Sequence, residues 1–462
     1  MAPGRPRTPL ACATILAAMA AQCWGADWLR IRTPHLEVLT DAGEKTGRSA
    51  LNRLEDIRRV LDARNTRPLP LRVFVFANEK EFRAYAENSI VDGFYQSGVE
   101  RDFIVLHAGA NLSREVAHEY IHWIMDRGLP LWFEEGTAEL YSNLDFQRGQ
   151  TIAGAPIPRH LATLASQPWL TAGELLRASR ASPFYGEQTL AGVFYAESWA
   201  LAHMLNLAPG WRDEMPVFAA ALASGGDQDE AFRAAFGKTM EQAVAELRLY
   251  VGRLHSVSLD AAPQLSPDRQ TTERITPIEG ILARADLALH VHNIELARAW
   301  FENAEKLRPD SPEAESGLGT LALAEGRRDR AKAHFERAID MGSKDPAAYF
   351  ELAMLLRESG SPARVGELLA RAITADPNFG EAHFILGTEA TDDGDYEAAI
   401  DHLRAATRAM PARSYVWYAL AFAQMKLGQI GEARASAARA LRTAATPEEE
   451  GMAAALWESM AN

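Results

Sequence analysis

Residues 114–141 read REVAHEYIHWIMDRGLPLWFEEGTAELY, and the fold of the first half of the chain is decided by how this stretch is parsed. Arg114 to Arg127 contains neither Gly nor Pro and alternates apolar with polar side chains at helical spacing, so it predicts an amphipathic helix. On that helix His118 and His122, at i and i+4, lie one turn apart on one face with Glu119 beside them. Gly128-Leu129-Pro130 ends the helix, and Trp132 to Tyr141 predicts a second one packed against it.

Two imidazoles and a neighbouring carboxylate at H-E-x-x-H spacing suit one zinc ion per chain. Zinc takes neutral imidazole and carboxylate donors, and a catalytic site leaves a fourth position for a water whose pKa falls toward roughly 7. Glu119 is then placed to accept the proton of that water as it attacks a carbonyl carbon. The second helix offers Glu134, Glu135 and Glu139 for the third ligand.

HEYIH followed by WFEEGTAEL resembles the gluzincin pattern, H-E-x-x-H with a downstream W-[LF]-x-E-G-x-A-E-Y. The resemblance implies an α+β zincin-like catalytic domain in which His118, His122 and Glu135 hold the zinc. Glu119 would be the general base, and Glu139 would accept a hydrogen bond from the second nitrogen of a zinc-bound histidine. The short gap from His122 to Glu135 is similar to the compact bacterial peptidase MA-like group. The same resemblance implies that the strand ahead of the zinc helix, Arg101 to His107, runs along the cleft and pairs with extended substrate. His107, at its end, reads as a structural residue rather than a ligand. Tyr195-Ala196-Glu197-Ser198 resembles the Y-x-x-[GS] segment whose tyrosine steadies the oxyanion. Tyr195 is therefore the implied donor, with His203 as its alternative, and packing of Tyr195 and Trp199 against the motif helices is the other reading. Nothing like the aminopeptidase G-x-M-E-N segment precedes His118, so endopeptidase action is favoured.

The chain has 462 residues, 47% hydrophobic and 24% charged, which suits a soluble globular protein of two or three domains. A net charge of -14 without a basic stripe argues against a nucleic-acid partner. Residues 1–26 read as a signal peptide, with Arg5 and Arg7 ahead of an apolar run from Leu10 to Ala21. That run is short for a permanent membrane span, so export to the periplasm or beyond is expected and membrane anchoring is not. A lipoprotein anchored through Cys23 is the alternative, against which Gln22 stands where a small residue is wanted. Both cysteines, Cys12 and Cys23, fall inside this segment. The exported chain would then contain no disulfide, cysteine nucleophile or thiolate metal ligand.

Residues 27–255 are assigned to the catalytic domain, with strands around Trp28 to Thr40, at Leu71 to Phe76 and at Arg101 to His107. Helices are expected at Ala42 to Ala63, Glu79 to Ala86 and Gln188 to Leu207. Residues 256–275, polar and without periodicity, read as a linker. Beyond it runs a 34-residue period. Leu318-Gly319, Leu352-Ala353, Leu386-Gly387 and Leu420-Ala421 fall in register, as do Gly326, Gly360, Gly394 and Gly428. This resembles tetratricopeptide repeats, and it predicts an all-α solenoid over 276–462 with five helix pairs and a final helix capped by Thr446. One equivalent column on the inner helices carries Glu315, Tyr349, His383 and Trp417, so no basic carboxylate clamp stands out. The implied partners are a peptide or protein substrate for the first domain and a protein segment in the repeat groove for the second. A zinc peptidase is the leading reading. An interaction scaffold whose repeats do the work, and a zinc hydrolase of non-peptide bonds, are the alternatives.

Overall fold

A computed structural model describes residues 27–61, 71–86, 92–97, 101–109, 111–125, 129–147, 150–179, 182, 188–223, 227–259, 270–357, 362–411, 413–444 and 446–460. The signal-peptide reading of residues 1–26, Gly128 and Gly360 lie outside them. The chain divides into two compact units, one built from residues 27–66 and 70–275 and the other containing residues 276–462.

The first unit holds a six-stranded sheet ordered β4-β5-β3-β2-β1-β9. Its strands are β1 (Leu29–Arg32), β2 (Glu37–Thr40), β3 (Leu71–Phe76), β4 (Gly93–Gln96), β5 (Asp102–His107) and β9 (Thr271–Arg274). The central strands β2, β3 and β5 pair in parallel, while β1, β9 and β4 add antiparallel flanks. Parallel strands are buried on both faces and read as continuous apolar runs, and LRVFVF in β3 has all but Arg72 buried. Helix α1 (Glu44–Leu61), which joins β2 to β3, buries Leu51, Leu54 and Ile57 in a core shared with Val73, Val75, Ile104 and Leu106. After the short helix α2 (Glu79–Arg83) and β5 come α3 (Leu112–Ile124) and α4 (Leu131–Ser142), the two motif helices.

Two expectations change here. Strand β5 is paired on both sides, by β3 and by β4, so it has no free edge to offer an extended peptide. On that side of the sheet the edge strand is β4, whose four residues GFYQ are too few for a visible alternation. Residues 256–275 are not simply a linker. Val257–Leu259 form β8 in a second, three-stranded sheet with β6 (Asp145–Gln147) and β7 (Gln150–Ala153), and Thr271–Arg274 form β9 beside β1.

Helices α5 (Pro158–Ser166), α6 (Ala172–Leu176) and α7 (Gln188–Leu207) follow, then α8 (Met215–Ala223), α9 (Gln228–Phe236) and α10 (Met240–Tyr250). Helix α9 stops at Gly237 in the left-handed conformation, φ 64°, and Thr239 with Gln242 forms the capping box that starts α10.

The second unit consists of helix pairs. These are α11 (Pro277–His290) with α12 (Ile294–Leu307), α13 (Pro312–Ala324) with α14 (Arg328–Asp340), and α15 (Pro346–Arg357) with α16 (Pro362–Ala375). Then come α17 (Gly380–Asp392) with α18 (Tyr396–Ala409), α19 (Ser414–Lys426) with α20 (Ile430–Thr443), and a last helix α21 (Pro447–Ser459). Gly326, Gly394 and Gly428 turn the chain between paired helices at φ 73°, 80° and 81°, where a Cβ would be strained. Thr446 accepts from the Glu449 amide at 3.2 Å, and Leu456 and Met460 bury against Ala433 and Ala437. Among the described residues no helix is long and apolar enough to cross a membrane.

The equivalent column is tied into the repeat by its own contacts. Tyr349, His383 and Trp417 each donate to a carbonyl six residues earlier, those of Ser343, Pro377 (3.2 Å) and Pro411 (2.8 Å). Tyr349 and Trp417 are also covered by Arg371 and Arg439 of their own partner helices. Glu315 instead takes both His334 (2.7 Å) and Arg337 (2.9 Å). The column pins each inner helix to the preceding turn and to its partner, so its chemistry supports the repeat.

Candidate metal centre

The centre is assembled where α4 folds back on α3. Arg53 of α1 donates to the carbonyls of Ser113 (3.2 Å) and Ser142 (2.8 Å), tying the start of α3 to the end of α4. Trp123 Nε1 donates to Asp102 Oδ2 at 3.0 Å and fastens α3 to β5. On the far side α4 lies directly on α7. A Cβ on Gly136 would fall 2.2 Å from the Ser198 carbonyl oxygen, so the glycine that follows Glu135 is what lets the two backbones touch.

Within this frame His118 Nε2 and His122 Nε2 are 3.1 Å apart, and Glu135 Oε2 is 3.4 Å from each. Zinc bonded to such donors at about 2.0–2.1 Å in tetrahedral geometry sets its ligand atoms about 3.3–3.4 Å apart. The three donor atoms therefore have nearly the spacing of one face of such a tetrahedron. The electrostatics agree. Burial alone would drive protons off His118, but the Glu135 hydrogen bond and the Glu119 and Glu139 charges hold its imidazolium up to about 9. Burial would raise Glu135 too, yet the two histidines keep its carboxyl far below the ordinary carboxylate range. A field that holds a proton this firmly favours a positive charge among these groups, and a divalent cation releases that proton as it takes the imidazole nitrogen.

Glu119 is buried next to the histidines, and burial pushes its carboxyl upward against their opposing pull. Glu139 stands behind His118, with Oε1 3.6 Å from the buried His118 Nδ1. Its other oxygen accepts from Arg114 and, at 2.6 Å, from His160 Nε2. Burial opposes ionisation of Glu139, but the His160 hydrogen bond and the His118 and Arg114 charges draw it down to about 2. His160 and Arg114 in these positions were not legible in the motif.

The remaining candidates separate. His203 is fully buried, with Nδ1 facing Tyr250 Oη at 2.8 Å and Nε2 facing the Gly154 carbonyl at 3.0 Å. Both nitrogens are committed, so it serves as a core histidine and not as an oxyanion donor. His107 packs on Phe82 and faces Asp92 at 3.5 Å, apart from the ligand set. Tyr195 is half-buried on α7 with its ring edge-on to Phe194. Among the described residues the candidate ligand triangle comes from α3 and α4.

Comparison with known proteins bears on the second unit. Tetratricopeptide-repeat family models match residues 316–378 and 390–456. Protein FlbA of Caulobacter vibrioides is 29% identical over 152 residues, 33% of this chain and 26% of that protein, so the match spans about a quarter of that relative's length. Among solved structures, YrrB, described as a TPR protein with an unusual peptide-binding site, is 21% identical and covers 38% of this chain and 90% of its own, with a TM-score of 0.31. PilF of Pseudomonas aeruginosa is 16% identical, covering 39% and 88%, with a TM-score of 0.33. The C-terminal unit carries tetratricopeptide repeats.

Proposed function

We propose that the first unit is a zinc-dependent peptidase of the compact gluzincin kind and that the repeats bind a protein or peptide partner. The observation that carries the reading is the triangle of His118, His122 and Glu135 donors at 3.1, 3.4 and 3.4 Å, with Glu119 buried beside it. When bound, zinc supplies Lewis acidity and lowers the pKa of a coordinated water toward about 7. The rest falls to the chain. His118, His122 and Glu135 would hold the ion, and Glu139, 3.6 Å behind the far nitrogen of His118, would draw that N–H toward itself and select the ligating tautomer. Glu119 accepts the proton of the attacking water and passes it to the departing amine of the substrate. Glu119, buried beside the histidines, would have to be ionised to act as that base, which their positive field favours. Tyr195 is proposed to donate to the oxyanion. Residues 1–26 are proposed to direct export.

The experiment is cleavage of a denatured-protein or peptide-library substrate by the zinc-loaded chain and its Glu119→Gln variant. Cleavage by the parent only supports the peptidase reading. Zinc binding by both with cleavage by neither transfers the function to the second reading, an interaction scaffold, which the tetratricopeptide repeats favour on their own.

A further inference from the structure

Outside the motif helices, one helix brings two side chains to Glu139, His160 and the more exposed Arg159, whose Nη2 lies 3.5 Å from Glu139 Oε1. Helix α5 begins at Pro158 after the turn at Gly154, and its third residue, His160, is buried. The ring packs on Trp199 of α7, centroids 5.4 Å apart and tilted by 37°, which fixes the direction of Nε2. Burial draws its pKa below the usual histidine value, against the pull of Glu139. A neutral imidazole carries one N–H, and an ionised carboxylate only accepts. The 2.6 Å contact is therefore a donation from His160 Nε2 to Glu139 Oε2. Arg114, from the first turn of α3, donates to the same oxygen. With Oε2 held from two sides, Oε1 is left facing His118 Nδ1 at 3.6 Å, with Arg159 Nη2 3.5 Å away on its exposed side. The α5 segment is anchored at its other end as well, since the Leu170 amide donates to Glu197 Oε1 at 2.7 Å.

We propose that His160 is a positioning residue for the metal centre, acting through Glu139 to fix the tautomer and ring orientation of His118. The inference rests on the metal-site reading of His118, His122 and Glu135. It adds a third structural segment, remote in sequence from both motif helices, on which the affinity of the centre depends. The carboxylate that backs a ligating histidine is worth about 10–100-fold in metal affinity, and that is the contribution His160 would secure.

The test is the zinc dissociation constant of the full chain, measured by competition with a chromophoric chelator, for the parent, His160→Leu and His160→Gln. The apo thermal midpoint of each is recorded alongside. His160→Leu removes the donor and is expected to weaken zinc binding about 10–100-fold. His160→Gln keeps an N–H on a side chain of similar reach and is expected to stay within about 3-fold of the parent, the rescue a merely structural role would not give. Should the leucine variant fail to fold, His160→Asn, too short to reach Glu139, is expected to show the same loss. Unchanged zinc affinity in the leucine and asparagine variants, or an equal loss in the glutamine variant, overturns the positioning role while leaving the metal site standing. Failure of the parent to bind zinc overturns the metal-site reading and this inference with it.

Discussion

Replacing Gly136 with alanine tests how the centre is supported. The new Cβ would lie 2.2 Å from the Ser198 carbonyl oxygen, 2.7 Å from its carbon and 3.0 Å from Ala202 Cβ. Two of these neighbours are backbone of α7, so no rotamer change relieves the clash and the helices must separate by about 1 Å. Overpacking of this kind costs about 1–3 kcal/mol, and a backbone obstacle belongs at the upper end. For a domain of some 150–250 residues, 1 kcal/mol shifts Tm by about 2–4 °C, which predicts a fall of about 6–12 °C for the N-terminal unit. The displaced residue adjoins Glu135, so zinc affinity falls in parallel. The control is Gly192→Ala on α7, where a Cβ would meet nothing within 4 Å. There the gain in helix propensity, about 0.5–1 kcal/mol, predicts a rise of about 1–4 °C. The assay is thermal unfolding of the full chain, followed in chelator and in zinc. A Gly136→Ala midpoint within 2 °C of the parent refutes the claim that α4 and α7 touch through this glycine.

Three further outcomes follow from named groups. Glu197 is fully buried, and burial pushes its carboxyl from the ordinary 4.5 up to about 7 against the pull of the Leu170 amide and Arg248. Its folded pKa exceeds its unfolded one, so the stability linked to its proton is full below pH 4.5, is lost as pH rises to 7 and is flat above. Glu197→Gln keeps the acceptor for Leu170 and should stabilise the unit by up to about 3 kcal/mol at pH 8 but little at pH 4.5. Equal gains at both pH values in denaturant titrations would count against it. Trp417→Phe removes the bond to the Pro411 carbonyl and should lower repeat-unit stability by about 1 kcal/mol without touching zinc binding; no change in the C-terminal unfolding midpoint contradicts the pinning role. Glu119→Gln should bind zinc as the parent does and lose about 10²–10⁴-fold in turnover, a prediction that substantial residual cleavage would sink.

How much was legible in the sequence depended on the range of the interaction concerned. The i, i+4 spacing of His118 and His122 is local, and helix geometry alone puts both rings on one face. Glu135 was chosen by resemblance, since spacing alone left Glu134 and Glu139 open, and the structure brings Glu135 to both imidazoles. The 34-residue period gave the phase of the repeats but not the direction of each side chain. Tyr349 and Trp417 sit in the expected register yet turn toward the connection that precedes their helix and toward the arginines of its partner. Strands β8 and β9 were hidden because three or four residues show no alternation and their partners are distant, as with Leu29 opposite Arg274. His160, a lone histidine in a proline-rich stretch, has a role only through tertiary contact with Glu139. Nothing in its sequence neighbourhood signals it.

The central claim is that His118, His122 and Glu135 form a zinc site, and metal content tests it most directly. The full chain would be loaded with zinc, dialysed free of excess and assayed for bound metal beside His122→Ala. About one zinc in the parent and close to none in the variant is the predicted result. A parent without zinc, or a variant that retains as much as the parent, contradicts it.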